Sequence, residues 1–565
     1  MQEENKKHEY DAIVIGSGIS GGWAAKELCE KGLKTLVLER GRDVKHVKDY
    51  PTINLMPWEL QYAGEITDKE KEENPILSRC YNYQEDSKHF FADDKDHPYE
   101  QQKPFDWIRG NQVGGRSLLW ARHTQRWSDF DFEGPARDGY AVDWPIRYKD
   151  IAPWYSYVEK FAGISGNKDG LDCLPDGEFL PPMELNCAEK YFKEQVARNY
   201  KNRHVIIGRC AHITETRPIY TQQGRVSCQH RDLCRRGCPF GGYFSSNAST
   251  LPWAERTGNL TLLSQAIVHS VIYDDKKGKA TGVRVIDAQT KATTEYFASI
   301  IFINASAIAT NHILLNSTSS RFPAGLGNDN GLLGKFIGFH NYRGRVFAEY
   351  DGAREFITDG RRPVTAYMPR FRNLYQQETS FLRGYAVVIN GSGNFNPDAE
   401  WGEGLKKYLA RKNYDGWNMY AGMMGETIPK ATNTVSLSAQ QKDQWGIPLL
   451  QFDVDYDNND EAMLKDYFEQ ISEMFEKAGF KNIRIKDTKQ APGLDVHEMG
   501  GVRMGNDPKT SLLNKWNQLH SCSNVFVTDG ACMTSTSTQN PSLTYMALTA
   551  RAADYAVQEL KKKNI

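Results

Sequence analysis

The fold of this 565-residue chain is decided by residues 10–39, which read YDAIVIGSGISGGWAAKELCEKGLKTLVLE. The first six of these residues predict a short buried strand, and the glycines after them predict a tight turn into a helix. Gly16 allows the turn, Gly18 lets the backbone approach a pyrophosphate, and Gly21 lets helix and strand pack closely. A second apolar strand ends at Glu39, where a carboxylate accepts hydrogen bonds from an adenosine ribose. The stretch therefore predicts a dinucleotide-binding α/β domain.

Composition limits the partners of the chain. Lysine and arginine number 70 and acidic residues 71, so no net charge attracts nucleic acid. Hydrophobic residues make up 40% and aromatic residues 12%, which indicates a globular protein. No run reaches the ~18 apolar residues of a membrane helix, and the charged N-terminus lacks the apolar core of a signal peptide. We expect a chain with neither a membrane span nor an export signal of its own.

Further motifs extend the pattern to the C-terminus. Residues 109–120 read RGNQVGGRSLLW, and the paired glycines let backbone lie against a flat ring. HEMGGVRMG follows at 497–505, VFVTDG at 525–530, and NPSLT at 540–544 opens a final helix. In this order the motifs resemble those of the glucose–methanol–choline (GMC) oxidoreductases. The resemblance implies an α/β fold, with a Rossmann-like FAD-binding domain and a substrate domain built on an antiparallel sheet.

The same resemblance implies how the chain is divided. We expect the FAD-binding domain to be discontinuous, with residues 1–45, 105–135, 205–335 and 495–565. Residues 136–204 and 336–494 form the expected substrate domain. The charged residues 46–104 form an insertion, interpreted as a solvated surface or as a cover over the flavin or a partner surface.

The residues expected to bind FAD come from all these motifs. They are Gly16, Ser17, Gly18, Ser20, Gly21, Glu39, Arg40, Arg109, Gly114, Gly115, Ser117, Leu118, Val268, Ala305, Asp529, Gly530, Pro541 and Ser542. Pyranose oxidases of this family carry a flavin-linked histidine shortly after the paired glycines, where this chain has Leu119. Leucine cannot form that bond, so we expect the FAD to be non-covalent.

Oxidation of an alcohol by hydride transfer needs a base for the hydroxyl proton and an acceptor for the hydride. The resemblance implies that flavin N5 accepts the hydride, that His497 is the base, and that Asn540 holds the substrate oxygen. Asn540 also fits a helix N-cap before Pro541. Many relatives have Asp-His where this chain has Phe339-His340, so we interpret His340 as structural.

A cysteine run, CQHRDLCRRGCP at residues 228–239, is the second unusual feature. Its spacing leaves three interpretations open for Cys228, Cys234 and Cys238: an iron–sulfur cluster, a zinc site with His230, or a disulfide with one free thiol. A branch of the GMC family with cysteines at this spacing holds a three-iron cluster. The resemblance thus implies a [3Fe–4S] cluster that passes single electrons to an external acceptor.

The same branch suggests partners and a substrate. It implies a small helper subunit that carries the export signal, a haem c electron acceptor, and a periplasmic location; without the helper the chain would be cytoplasmic. The substrate implied is a glucoside or glucose, oxidised at C3, with Arg122, His123 and Gln125 as donors to sugar hydroxyls. Two alternatives stay open: an oxygen-using enzyme like the pyranose oxidases with structural cysteines, and a flavin-retaining lyase or non-catalytic scaffold.

Overall fold

A computed structural model describes residues 9–139, 141–354, 362–395, 401–411 and 414–565; residues 1–8, which open the first expected domain segment, lie outside this part. Its α-helices are α1 (Ile19–Glu30), α2 (Asp68–Glu73), α3 (Asp129–Phe132), α4 (Gly134–Asp138), α5 (Tyr148–Ala162), α6 (Cys187–Asn199), α7 (Pro218–Gln222), α8 (Thr250–Glu255), α9 (Ala307–Asn316), α10 (Gly402–Ala410), α11 (Asn458–Lys477) and α12 (Ser542–Lys561). None of the described helices is both long and apolar enough to cross a bilayer.

The strands fall into three sheets. They are β1 (Glu9–Ile15), β2 (Thr35–Leu38), β3 (Glu100–Gln101), β4 (Ile206–Ile207), β5 (Leu260–Leu263), β6 (Ala266–Asp274), β7 (Lys279–Asp287), β8 (Thr293–Ile303), β9 (Lys335–Gly338), β10 (His340–Asn341), β11 (Gly344–Tyr350), β12 (Ala366–Met368), β13 (Tyr385–Asn394), β14 (Gly416–Glu426), β15 (Thr434–Lys442), β16 (Pro448–Asp453), β17 (Lys481–Asp487), β18 (Met499–Gly501), β19 (Gln518–Leu519) and β20 (Cys522–Val527).

The first sheet is the predicted α/β core. Its strand order is β19-β20-β8-β1-β2-β5, and the pairs from β20 to β5 are parallel. Ala12, Ile13 and Val14 are fully buried. Ala12 and Val14 share an apolar cluster with residues of α1 and α12, whereas Ile13, which points to the opposite face, shares one with residues of β6 and β7. The carboxyl ends of parallel strands meet at one edge, and ligands of such sheets bind there. The expected α/β fold is confirmed.

The second sheet is antiparallel, in the order β17-β11-β14-β13-β12-β4 with β10 beside β14. It carries the residues expected in the substrate domain, and α11 packs on it through Tyr467 and Ile471. Its edge strand Ile206–Ile207 comes from the segment that we assigned to the FAD-binding domain. The boundary expected at 205 therefore cuts through this sheet, since a two-residue strand has no periodicity by which a sequence can reveal it.

The third sheet joins distant segments in the order β18-β9-β15-β16-β3. Through β3 the insertion pairs with β16 in this sheet. Elsewhere in the insertion, Tyr50, Ile53 and Phe90 pack against Leu118 and Leu119 of the second glycine motif. The exposed helix α2 is the solvated part of the segment. The insertion is thus a cover packed onto the core, with one charged solvent-facing helix.

Candidate active site

A cavity of about 690 Å³ opens at the carboxyl ends of β1, β2 and β8 and extends between the first two sheets. This volume falls within the range of roughly 300–1,000 Å³ of ligand and cofactor sites. Most residues expected to contact FAD line it: Gly16, Ser17, Gly18, Ser20, Glu39, Arg40, Arg109, Gly115, Ser117, Val268, Ala305, Asp529, Gly530, Pro541 and Ser542.

The turn after β1 has the geometry of a pyrophosphate cradle. Gly16 has a φ of +93°, and a Cβ there would collide with the carbonyl oxygen of Asn304. A Cβ at Gly21 would collide with the carbonyl of Gly16, so this glycine packs helix against strand without lining the cavity. Nothing lies within 4 Å of a Cβ built on Gly18, the N-cap of α1. The open helix N-terminus fits a phosphate group.

Glu39 lies at the end of β2, beside this turn. Its carboxylate accepts hydrogen bonds from the Ser17 amide at 3.1 Å, the Ser17 hydroxyl at 2.5 Å and the Gly41 amide at 3.0 Å. Burial raises the pKa of Glu39, and the hydrogen bonds oppose that shift. The acid is therefore held in a fixed orientation at the position that a nucleotide ribose requires.

The paired glycines have different roles from those expected. Gly115 lines the cavity, whereas Gly114, with a φ of +91°, packs against the Asn247 side chain and donates a hydrogen bond to Ser17 Oγ at 3.0 Å. Leu118 is fully buried against the insertion. Neither Gly114 nor Leu118 lines the cavity, because the turn over Gly115–Leu118 points one side of the chain into the core, so direct cofactor contact of these two residues stays a prediction. Leu119 lines the cavity and has no atom that could bond to flavin.

Arg109 offers an independent test of whether FAD fits. Its Nη1 donates to the His97 carbonyl at 2.6 Å, while its Nε and Nη2 have no partner among the described residues. Burial lowers the pKa of Arg109 to about 10. Arg40, which pairs with Asp443 at 3.5 Å, lies nearby. An unpaired buried guanidinium beside a glycine cradle fits an anionic dinucleotide, so the residues present suit FAD.

His497 and Asn540 meet at the opposite end of the cavity. Asn540 Nδ2 lies 3.3 Å from His497 Nε2, and Asn540 Oδ1 is buried without a partner in the described structure. The helix begins at Ser542 with Pro541 as its N-cap, so the expected N-cap role of Asn540 is wrong. Burial lowers the pKa of His497 well below its usual value, with help from the charge of His340. His497 is therefore a neutral imidazole at neutral pH.

His340 lies against His497, which we did not expect of a structural residue. The two Nδ1 atoms are 2.9 Å apart, and His340 Nε2 lies 3.1 Å from the Thr536 carbonyl oxygen. Because a carbonyl only accepts, His340 carries its proton on Nε2 and presents an unprotonated Nδ1. His497 must then donate from Nδ1, which leaves the lone pair of its Nε2 facing Asn540 and the cavity. The contact fixes the tautomer that a base requires.

Two acidic residues beside His497 were not predicted. Asp495 Oδ2 accepts the backbone N–H of His340 at 2.9 Å, and burial raises the pKa of Asp495 to about 7. Glu498 forms a two-point ion pair with Arg116, at 3.1 and 2.7 Å. This ion pair links the second glycine motif to the segment that carries His497. It thereby positions the base relative to the part of the cavity formed by that motif.

Only two of the three residues expected to contact the sugar line the cavity. Arg122 and His123 line the cavity, while Gln125 is fully buried behind it, 3.5 Å from His123 Nδ1. Gln125 does not reach the cavity, although residues two apart in a regular extended segment face the same side, so the segment from His123 to Gln125 is not a regular strand. On the antiparallel sheet, Tyr342 and Arg345 line the same cavity, which the sequence did not single out.

The cysteine run forms a loop fixed to the insertion. Asp86, which is 1% exposed, accepts hydrogen bonds from Arg235 at 2.8 Å and Arg236 at 2.6 Å. All three cysteines of the run are free thiols with half-buried side chains. The structure therefore gives no support to the interpretation as a disulfide with one free thiol.

The thiols are neighbours without being in contact. Burial raises the pKa of Cys228 to about 11, and the charges of Cys234 and Cys238 add to the shift. Zn–S bonds of about 2.3 Å require sulfurs about 4 Å apart. Among the described residues, the three-ligand group whose atoms lie within 4.8 Å is His340, Asp495 and His497 rather than the cysteines. At least one pair of these sulfurs is therefore farther apart than the ligands of a single zinc ion.

Cys234 has a further neighbour. Its Sγ lies 3.8 Å from His212 Nε2, and the His212 Nδ1 is buried without a partner in the described ranges. Arg122 lowers the pKa of Cys234 against the larger effect of burial, so a cation lies between this loop and the cavity. These contacts provide positive charge and hydrogen-bond donors next to sulfur.

Comparison with known proteins agrees with this geometry. Two family models, both described as GMC oxidoreductase, match residues 10–330 and 429–549. The chain is 28% identical to a 2-methyl-1,2-propanediol dehydrogenase of Mycolicibacterium austroafricanum, covering 96% of this chain and 94% of that protein. It is 26% identical to the fructose dehydrogenase large subunit of Gluconobacter japonicus, covering 99% of each chain. A solved formate oxidase of Aspergillus oryzae has a TM-score of 0.63 at 12% identity, covering 98% of this chain and 99% of that one.

Proposed function

Because this chain belongs to the GMC oxidoreductase family, we propose that it is an FAD-dependent sugar dehydrogenase that oxidises a secondary hydroxyl of a glucoside or glucose, at C3, to a ketone. The family assignment itself makes the chain an FAD-type oxidoreductase acting on CH–OH groups. The observation that supports the alcohol chemistry here is the His497–Asn540 pair, with a lone pair on Nε2 turned to the cavity.

The cofactor supplies a hydride acceptor at its N5 atom when it is bound. His497 Nε2 takes the hydroxyl proton, since it is the unprotonated nitrogen of a neutral ring. Asn540 Nδ2 donates a hydrogen bond to the substrate oxygen and, being neutral, does not compete for the proton. His340 Nδ1 accepts from His497 and stabilises the imidazolium that results. The insertion and the antiparallel sheet keep water from the pair.

The second half-reaction is proposed to use the cysteine loop. A [3Fe–4S] cluster, when bound, supplies a one-electron carrier. Cys228, Cys234 and Cys238 would ligate it as thiolates, and Arg122 would offset part of their charge. The external acceptor is proposed to be a haem c protein, reached in the periplasm together with a small helper subunit. The description of one relative as a large subunit supports a partner subunit.

Product analysis is the most direct test. Holoenzyme is incubated with methyl β-D-glucoside and an artificial electron acceptor, and the product is examined by NMR. A carbonyl at C3 is expected, and a product oxidised at C2, or none, would contradict the proposal. Peroxide formed in air in equal amount to product would favour an oxidase with structural cysteines. The His497→Ala variant is the control, since a flavin still bleached anaerobically at the original rate would exclude His497 as the base.

A further inference from the structure

We propose that the cavity contains a carboxylate-binding subsite centred on Arg345, so that the preferred substrate is a sugar acid. This inference rests on the proposed function for the sugar, but its carboxylate is argued from charges in the cavity wall. Arg345 is the second residue of strand β11 of the antiparallel sheet, is 9% exposed and lines the cavity.

The charge of Arg345 is not neutralised by the protein. Three other arginines in the cavity wall have carboxylate partners: Arg40 with Asp443, Arg79 with Asp106, and Arg116 with Glu498. Arg109, already assigned to the dinucleotide, and Arg122, next to the cysteine loop, have none among the described residues. Arg345 has no carboxylate oxygen within 4.0 Å among the residues that the structure describes. Its Nη1 donates to the Gly344 carbonyl at 2.8 Å, and its guanidinium lies 3.9 Å over the Tyr342 ring. A backbone carbonyl and a ring face leave a full positive charge beside the cavity.

Gln490 adds a second, independent donor. Its Oε1 lies 3.5 Å from Arg345 Nη2 and accepts the Thr488 hydroxyl at 3.2 Å. Arg345 can only donate, so the amide oxygen rather than the amide nitrogen faces its guanidinium, while the Thr488 hydroxyl can donate either to Oε1 or to the Arg343 carbonyl at 3.3 Å. The Gln490 Nε2 is then left buried in the cavity wall with no partner in the described part of the chain. A guanidinium and an amide N–H₂ side by side offer N–H groups to the two oxygens of one planar carboxylate.

The position suits a substrate that also reaches His497. Arg345 follows His340 by five residues along the chain, so the two Cα atoms are at most about 17 Å apart, and both belong to the antiparallel sheet. The helix N-terminus that would hold the phosphates of the dinucleotide is that of α1, which follows a strand of the first sheet, whereas Arg345 is on the second sheet. One guanidinium and one neutral amide match the single charge of a carboxylate rather than the two charges of a phosphate monoester.

A matched pair of substrates tests the subsite. Methyl β-D-glucuronoside and methyl β-D-glucoside differ only in a carboxylate in place of the C6 hydroxymethyl group. For the wild-type holoenzyme we expect kcat/KM to favour the glucuronoside. In Arg345→Gln the ratio of the two kcat/KM values should fall roughly 30- to 1,000-fold, as when one partner of a buried charge pair is removed. A wild-type preference for the glucoside, or an unchanged ratio, would overturn the subsite.

Control variants separate this role from general damage. Arg503 is 7% exposed, lies 3.7 Å over the Phe336 ring and donates to the Thr510 carbonyl, all outside the cavity. Arg503→Gln should keep the ratio of the wild type. Gln490→Glu keeps the shape of the side chain but places a carboxylate beside Arg345, and should lower the ratio like Arg345→Gln.

Binding of the glucuronoside is measured separately, so that the subsite is tested even if the enzyme oxidises neither sugar. Methyl β-D-glucuronoside is titrated into oxidised holoenzyme and flavin fluorescence is followed, without turnover. We expect Arg345→Gln to raise the Kd of the glucuronoside at least tenfold. Equal Kd values in wild type and variant would refute the subsite even if both sugars are oxidised. A tenfold difference without any sugar oxidation would support the subsite and refute the sugar dehydrogenase.

Discussion

The Nδ1 atoms of His340 and His497 lie 2.9 Å apart, although 157 residues separate them in the sequence. Two nitrogens at this distance share one proton. The proton on His340 Nε2 is donated to the Thr536 carbonyl, so His340 Nδ1 is unprotonated and the shared proton belongs to His497 Nδ1. The Thr536 carbonyl oxygen thus sets the tautomer of His497 through two successive hydrogen bonds, with His340 between them.

His340→Ala removes the acceptor for His497 Nδ1 and lets the base ring rotate or change tautomer. We expect the rate of anaerobic flavin reduction by substrate to fall about 10- to 100-fold. His340→Gln, whose Oε1 accepts the same proton, should recover part of the rate. Stopped-flow absorbance across pH 5–9 checks this, and a His340→Ala variant as fast as wild type at every pH would show that the contact is only structural.

The flavin is expected to be released intact on denaturation, because Leu119 has no atom that can bond to it. After acid precipitation, essentially all of the flavin absorbance should be in the supernatant, with the mass of free FAD. A yellow protein pellet, or a peptide carrying the mass of FAD, would contradict a non-covalent cofactor.

Single replacement of a cysteine in the run should separate the two half-reactions. In Cys234→Ser we expect iron and acid-labile sulfide to fall, and reduction of a one-electron acceptor to slow roughly tenfold or more, while substrate still bleaches the flavin under anaerobic conditions. Cys187→Ser, outside the run and also half-buried, is the matched control. Iron-free wild-type protein, purified anaerobically and still reducing the acceptor, would refute the relay.

The Asp495 carboxyl should make stability depend on pH. Burial raises its pKa from 3.8 to about 7, so between these values it is protonated in the folded protein and ionised in the unfolded chain. The folded protein then binds one more proton, and its stability falls as pH rises through this window. Asp495→Asn lacks this dependence, so its free energy of unfolding should fall about 2–3 kcal/mol less than that of wild type between pH 5 and 7.

Urea unfolding at the two pH values measures that difference. Asp460, with a pKa raised to about 8, and Asp529, raised to about 6, contribute slopes of the same sign, so the comparison is between variants. Asp68→Asn, at a side chain that is 94% exposed, should keep the wild-type slope. Equal slopes in Asp495→Asn and wild type would show that Asp495 is already ionised in the folded protein.

The sequence was sufficient where the determining contacts are local. Gly16 and Gly21 could be predicted because a turn of six residues dictates which side chains fit, and Glu39 because a strand length sets its distance from the turn. The N-cap assignment of Asn540 was wrong by one residue, as element boundaries often are, since Pro541 itself takes the N-cap position.

Contacts between distant segments could not be predicted in this way. Arg116 pairs with Glu498 across 382 residues, and nothing near either residue in the sequence indicates the partner. Gln125 was misassigned because its segment does not keep the regular alternation of a strand, so Gln125 is buried although His123 lines the cavity. Arg345 could not be identified as a candidate from the sequence. Its distinguishing feature is that no carboxylate pairs with it among the described residues, and this depends on which strands lie next to it.

Asp86 has a consequence for how this chain varies in evolution. One carboxylate in the insertion holds two adjacent basic residues of the cysteine loop, so neither segment can be shortened, exchanged or recombined alone. Among homologous sequences we expect an acid at this position to occur together with the paired arginines. Homologues without the cysteines should not require an acid at this position. The residue at position 86 would then indicate, from sequence alone, whether a homologue transfers electrons through a cysteine-bound centre.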